Sequence, residues 1–154
     1  MELPKRSLII LGLGWLVSLA LVSFVAGYYY MEFRNLNELL EQYENVTMEV
    51  NICIEYKELN ETVLWYNNTI IPLGCNLLQA TKTVALVNST YSPAQQASFV
   101  DAINGVWNHG AIFWMWQHWD DTQEKWEYGN VGADIYKLTK NETVRWRYEI
   151  PSYT

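Results

Sequence analysis

The chain has 154 residues, half of them hydrophobic and 15% aromatic, among them eight tryptophans. That composition, with only 18% charged residues, excludes an intrinsically disordered polypeptide. A net charge of −7 without any Lys/Arg cluster excludes a nucleic-acid binder and a surface built for anionic headgroups. From Leu8 to Tyr30 there are 23 consecutive residues without a charge, enough as a helix to cross a hydrocarbon core of roughly 30 Å. Lys5 and Arg6 precede this run and Glu32 follows it, so the positive-inside rule places the N-terminus in the cytoplasm and Ser7–Tyr30 across the membrane. Tyr28, Tyr29, Tyr30 and Phe33 then fall at the outer interface, where amphipathic rings gather. The rival reading is a signal peptide cleaved near Val25-Ala26-Gly27, but the apolar run is longer than a usual signal core. An uncleaved anchor is therefore expected, and either reading puts the remainder outside the cytoplasm. Gly14 with Ser18, and Ser23 with Gly27, are small-residue pairs at helix-packing spacing.

Beyond the anchor, Leu36, Leu39, Leu40 and Tyr43 recur at helical spacing, with Glu38, Glu41 and Glu44 on the other side. The expectation is a stalk helix over Glu32–Asn45 that continues the membrane helix. Its apolar stripe suits either its own domain or another subunit. Val46–Lys57 alternates as a strand, with Met48, Val50, Ile52, Ile54 and Tyr56 on one face. After a polar turn, Thr62–Ile71 reads as the second strand of a hairpin, its Trp65 in the core. Pro72 and Gly74 break the chain, and Asn76 can cap a short helix from Leu77 to about Thr83. Val84–Val87 is a candidate buried strand, Asn88–Gln96 a loop, and Ser98–Val106 an apolar segment ending at the Asn104-Gly105 turn. The Trp-rich strand follows, then a polar turn at Asp120–Lys125 and a short segment at Trp126–Tyr128. Asp134–Leu138 and Thr143–Ile150 close the domain, with Val144, Trp146, Tyr148 and Ile150 on one face. The order of hairpin, helix and further strands is an α+β layout: one short helix over a mostly antiparallel sheet, as in β-grasp folds. Three regions result: 1–30, a cytoplasmic tip and transmembrane anchor; 31–45, the stalk; and 46–154, the extracytoplasmic domain.

Several segments carry a family likeness. These are Gly74-Cys75-Asn76-Leu77-Leu78-Gln79-Ala80, Phe99–Gly105 before the Trp-rich strand, Gly132-Ala133-Asp134-Ile135-Tyr136-Lys137-Leu138, and the closing Glu142-Thr143-Val144-Arg145-Trp146-Arg147-Tyr148-Glu149. From Val46 to Pro151 the chain resembles the transcobalamin-like C-terminal domain family, the small domain of cobalamin carriers. The resemblance implies a β-grasp-like fold. Cobalamin carriers hold their ligand between this domain and a large helical barrel, and this chain has no such barrel. The family's tight Gly-Asp turn before the last strand is Lys140-Asn141-Glu142 here. The implied fold therefore transfers further than the implied ligand.

Val106–Trp126 holds five of the tryptophans. Alternation puts Ile112, Trp114, Trp116 and His118 on one face and Phe113, Met115, Gln117 and Trp119 on the other, so both faces are largely apolar. Trp107, Trp114, Trp116, His118, Trp119 and Trp126 are thus the candidate face for a small molecule, a glycan or a protein partner. Exposed asparagines in Asn-x-Ser/Thr sequons are glycan acceptors, and Asn45, Asn60, Asn67, Asn88 and Asn141 are the candidates. Cys53 and Cys75 could form a disulfide outside the cytoplasm, although alternation turns Cys53 away from the apolar face. His109, His118, Asp120 and Asp121 match no metal-ligand spacing. Neither a nucleophile–base pattern nor a phosphate loop is present, so neither an enzyme nor a cofactor is expected. The function expected is binding by a membrane-anchored module through its Trp-rich face. The alternatives are an accessory subunit of a membrane or cell-surface complex, with contacts through anchor and stalk, and cobalamin-type ligand binding.

Overall fold

A computed structural model describes residues 5–151, with side chains from residue 13 onward. The chain divides into two compact units, one up to Asn45 and one from Val46. The first is a single continuous helix, α1 (Lys5–Val46), of 42 residues, about 63 Å long at 1.5 Å per residue. From Leu13 it is long and apolar enough to cross a membrane. No Pro interrupts it between Lys5 and Val46, so span and stalk share one hydrogen-bond ladder. The stalk stripe of Leu36, Leu39, Leu40 and Tyr43 is exposed along α1. Lys5 and Arg6 open the helix, and their side chains lie outside the described residues.

The second unit is α+β. Its elements are β1 (Thr47–Tyr56), β2 (Thr62–Pro72), α2 (Leu77–Val84), β3 (Val87–Ser92), β4 (Ala97–Ile103), β5 (Val106–Trp107), β6 (Phe113–Asp120), β7 (Lys125–Tyr128) and β8 (Thr143–Glu149). A five-stranded sheet runs β2-β1-β8-β6-β7, and a smaller sheet runs β3-β4-β5. The central β1 and β8 are parallel, while every other neighbouring pair is antiparallel. Two hairpins flanking a parallel pair formed by the first and last strands make the β-grasp arrangement.

The core follows from the alternation in β1 and β8. Ile54, Trp146 and Trp116 stand opposite one another across three strands, as do Ile52, Val144 and His118. Leu77, Leu78 and Ala80 of α2 and Val100 and Ile103 of β4 belong to the same buried cluster. Asn76 caps α2 in a capping box with Gln79, which satisfies donors the first helical turn leaves unpaired. Thr81 is fully buried and accepts the Trp146 indole N–H at 2.7 Å. That bond locks α2 to the centre of the large sheet.

Three local expectations are corrected. Trp65 is not core: it is 49% exposed, because it pairs with Cys53 on the outer face of the edge strand. Val84–Val87 is not a strand; α2 extends through Val84, and Leu86 projects outward. Asn88–Gln96 is not all loop, since β3 occupies Val87–Ser92 and hairpins back to β4. Asp134–Leu138 is a turn. There the Ile135 and Tyr136 N–H groups both donate to Gly132 C=O, and only Lys137 makes a bridge, to Asn76.

The candidate disulfide is not formed, and both cysteines are free and buried. Cys53 lies on the outer face of β1, whereas Cys75 joins the core on the α2 side, so the sheet separates them. Burial pushes the Cys53 thiol up to about 11, reinforced by the Glu55 carboxylate, and burial also raises Cys75. Raised pKa values leave little thiolate at neutral pH, and thiolate is the reactive species. Two slow thiols are therefore expected to react with a disulfide reagent only once urea unfolds the domain. Two equivalents released rapidly from the native chain would refute this.

Candidate functional site

The candidate residues concentrate on β6, whose register with β8 fixes what each side of the strand meets. Trp114, Trp116 and His118 do share one face, and Trp114 and Trp116 belong to the core there. Trp114 is 2% exposed and Trp116 7%. The indole of Trp114 donates to Val106 C=O at 2.8 Å, and that of Trp116 to Val131 C=O at 3.0 Å. Trp114 packs edge-on against Tyr56, while Trp116 and His118 lie beside Tyr136. Trp114 and Trp116 pack inward because α2 and the small sheet cover that side, and His118 is half-buried. Tyr136 donates to Glu142 at 2.5 Å, and burial together with that carboxylate holds its phenol well above the usual range.

The opposite face gathers the remaining aromatic pair. Trp119 and Trp126 stand opposite each other across β6 and β7, edge to face at 5.4 Å, and the Arg145 guanidinium sits 4.3 Å above the Trp126 ring. Next to them runs an ion-pair network that sequence reading did not anticipate. Glu55 pairs with both Arg145 and Arg147, and Arg147 and Lys57 pair with Glu149. Glu149 is 2% exposed and also accepts the Tyr128 hydroxyl at 2.6 Å, while Arg145 donates to the buried Gln117. Desolvation lowers the Arg145 pKa from its usual value, with Arg147 adding repulsion. These charges pair with one another, which is how a sheet face can bury them. Their signal was the Arg145/Arg147 alternation facing Glu55, legible only once β1 and β8 are known to be neighbours.

Trp107 lies apart from both groups, on β5, and is 58% exposed. All five sequon asparagines are exposed: Asn45 at the end of α1, Asn60 between β1 and β2, Asn67 on β2, Asn88 on β3 and Asn141 before β8. His109 is exposed and pairs through its backbone with Ile112. Among the described residues no group of three or more His, Cys, Asp or Glu could hold a metal ion.

Between β4 and β6 the structure opens a cleft of about 550 Å³. Ala97–Val100 form one wall, Trp114–Trp116 the other, and Gly129–Ala133 run along the end after β7. No residue lining it carries a charge. Phe99, Val131 and Ile135 are exposed at its rim. Gly129 is required here by space: a Cβ would fall 1.9 Å from the Trp116 ring. Asn108 holds one end, its side-chain amide donating to Val100 C=O at 2.8 Å and accepting from Trp114 N–H at 2.9 Å. A second apolar cavity of about 380 Å³, lined by Phe99, Ala111, Phe113, Met115, Ile150 and Pro151, shares Phe99 and Met115 with the first.

No protein-family model matches the chain, and no curated protein does either. Among solved structures it is similar to haptocorrin in complex with Cbi, with a TM-score of 0.52 and 14% identity over 67% of this chain. The chain spans 25% of haptocorrin's length. A proposed metal-binding protein from Ruminococcus gnavus aligns at a TM-score of 0.45 and 10% identity, over 68% of this chain and 99% of that one. The haptocorrin likeness establishes a shared fold and nothing further.

Proposed function

We propose that the chain is a membrane-anchored, extracytoplasmic binding module whose ligand site is the cleft between β4 and β6. The observation that carries this reading is the uncharged lining. From Tyr28 onward the chain has 8 Lys+Arg against 16 Asp+Glu, yet none of these residues lines the cleft. A concave, apolar site with a few convergent polar groups is the usual form of a small-ligand pocket. Haptocorrin was solved with Cbi bound, which makes a corrinoid one fitting test ligand. In this reading residues 1–30 are tip and anchor, 31–45 the stalk and 46–154 the binding domain, with the N-terminus cytoplasmic. The exposed positions of Asn45, Asn60, Asn67, Asn88 and Asn141 support their acting as glycan acceptors.

The test is a thermal-shift and Trp-fluorescence screen of the full chain in detergent, against neutral oligosaccharides, neutral apolar compounds, blocked peptides and a corrinoid. A hit is expected to vanish when Val131 at the rim becomes Trp, and to survive Trp126→Ala on the opposite face. Loss in Trp126→Ala alone would move the site to the outer face, and no hit in any class would sink the reading. A second reading, an accessory subunit, is favoured by the exposed stalk stripe of Leu36, Leu39, Leu40 and Tyr43. A monomer without co-purifying chains in mild detergent would remove it.

A further inference from the structure

Resting on that reading of the cleft, we propose that its ligand is an extended, uncharged peptide segment of a partner protein, added as a strand between β4 and β6. β7 pairs with β6 only over Gln117–Asp120, so the Phe113–Trp116 edge of β6 has no neighbouring strand on that side. β5 pairs with β4 only at Ala102 and Ile103, so Ala97–Val100 is open on that side as well. Two strand edges therefore face each other across the cleft.

Their backbone groups point into it. In an antiparallel ladder the N–H and C=O of one residue point to the same side, and successive residues alternate. Trp114 N–H meets Asn108 and Trp116 C=O meets Gly129 N–H, both away from β8. Trp114 C=O and Trp116 N–H therefore aim into the gap, at the spacing that receives one residue of an added strand. On the other wall Val100 C=O meets Asn108 and Ser98 N–H meets Asp134, so Ser98 C=O and Val100 N–H aim inward too. The fold already shows what fits between these edges. At one end the Asn108 carboxamide is a single amide that bonds both walls at once, with distances of 2.8 and 2.9 Å. One peptide backbone continuing from that amide would meet the same geometry on both sides. A cleft of about 550 Å³ suits a short segment, at roughly 3.3 Å of rise per extended residue.

The lining also selects the side chains. On the inner side the Trp114 and Trp116 rings fill the space, so the occupant needs small residues there. Alternate side chains would point outward, over the apolar cavity of Phe99, Phe113 and Met115. Small alternating with apolar, without charge, is the resulting pattern. A sugar is less suited: both indole N–H groups are already bonded and neither ring offers an open face. Strand addition of this kind takes affinity from main-chain bonds and specificity from alternate pockets.

The experiment is single-residue amide exchange on the full chain in nanodiscs. The probes are blocked seven-residue peptides of Ala, Val, Ser, Thr and Gly, with versions N-methylated at alternate amides. The Val100 and Trp116 amides are expected to exchange quickly in the free chain. Exchange should slow by on the order of 100-fold with the plain peptides and stay fast with the methylated ones. Slow exchange at both amides in the free chain would overturn the proposal, because the edges would already be occupied. Peptides without effect while a neutral oligosaccharide, an apolar compound or a corrinoid engages the cleft would overturn the peptide and leave the binding site standing. No effect from any class would overturn both.

Discussion

Replacing Gly129 by valine is expected to lower the stability of the domain by about 3 kcal/mol, the upper part of the range for overpacking a filled site. The reason is geometric. A Cβ on Gly129 would stand 1.9 Å from Trp116 Cε2 and 2.0 Å from Cζ2, far inside van der Waals contact with the indole. The ring has little room to yield, since its N–H is tied to Val131 C=O and its body packs at 4.5 Å from Tyr136. Gly129 N–H in turn bonds Trp116 C=O, so moving the backbone breaks a bond between β6 and the segment after β7. Alanine places the same Cβ there and is expected to cost most of the same amount. Urea unfolding of both variants, followed by circular dichroism, measures this. An unchanged midpoint for Gly129→Ala would show that the ring is not seated on the glycine.

Trp146→Ala is expected to cost about 4 kcal/mol, while Trp65→Ala costs within about 0.5 kcal/mol. Trp146 is 2% exposed at the middle of the sheet, between Ile54 of β1 and Trp116 of β6. Removing it opens a cavity and leaves the buried Thr81 hydroxyl without the indole N–H it accepts. Trp65 sits on the edge strand with half its surface in water and loses little on truncation. Comparable costs for the two variants, from the same denaturant curves, would contradict the placement of both side chains.

The contrast between these two tryptophans shows what was legible beforehand. In β1 and β8 one face is apolar and the other polar, so period two alone assigns Ile52, Ile54, Val144 and Trp146 to the core. In β2 the run Val63-Leu64-Trp65-Tyr66 is apolar on both faces, and alternation cannot tell inside from outside there. β6 has the same ambiguity, and tertiary packing decided it by burying Trp114 and Trp116 and leaving Trp119 with Trp126. The α2 cap was readable because Asn76 and Gln79 are three residues apart, a purely local signal. The cleft was not readable. It depends on β4 and β6 meeting through the Asn108 carboxamide and the Phe99–Phe113 ring pair, neither of which has a distinguishing pattern in the sequence. The Asp134–Leu138 turn was not legible either, because Gly132, which lets Asp134 and Ala97 approach, has only a weak local signature.

The parallel pairing of β1 with β8 has a consequence for how the domain is made. Asn51 meets Thr143 and Ile52 meets Val144, partners more than 90 residues apart in sequence. A central strand formed early therefore waits for one synthesised about 90 residues later. Until Thr143–Glu149 leaves the ribosome, the β1–β2 hairpin has no partner for its inner edge. Such long-range closure raises contact order and slows folding relative to a helical domain of the same size. The exposed hairpin edge is, in that interval, a template for pairing with another chain. Folding intermediates of this protein should therefore be most vulnerable at β1, even though β1 is among the best-buried strands of the finished domain.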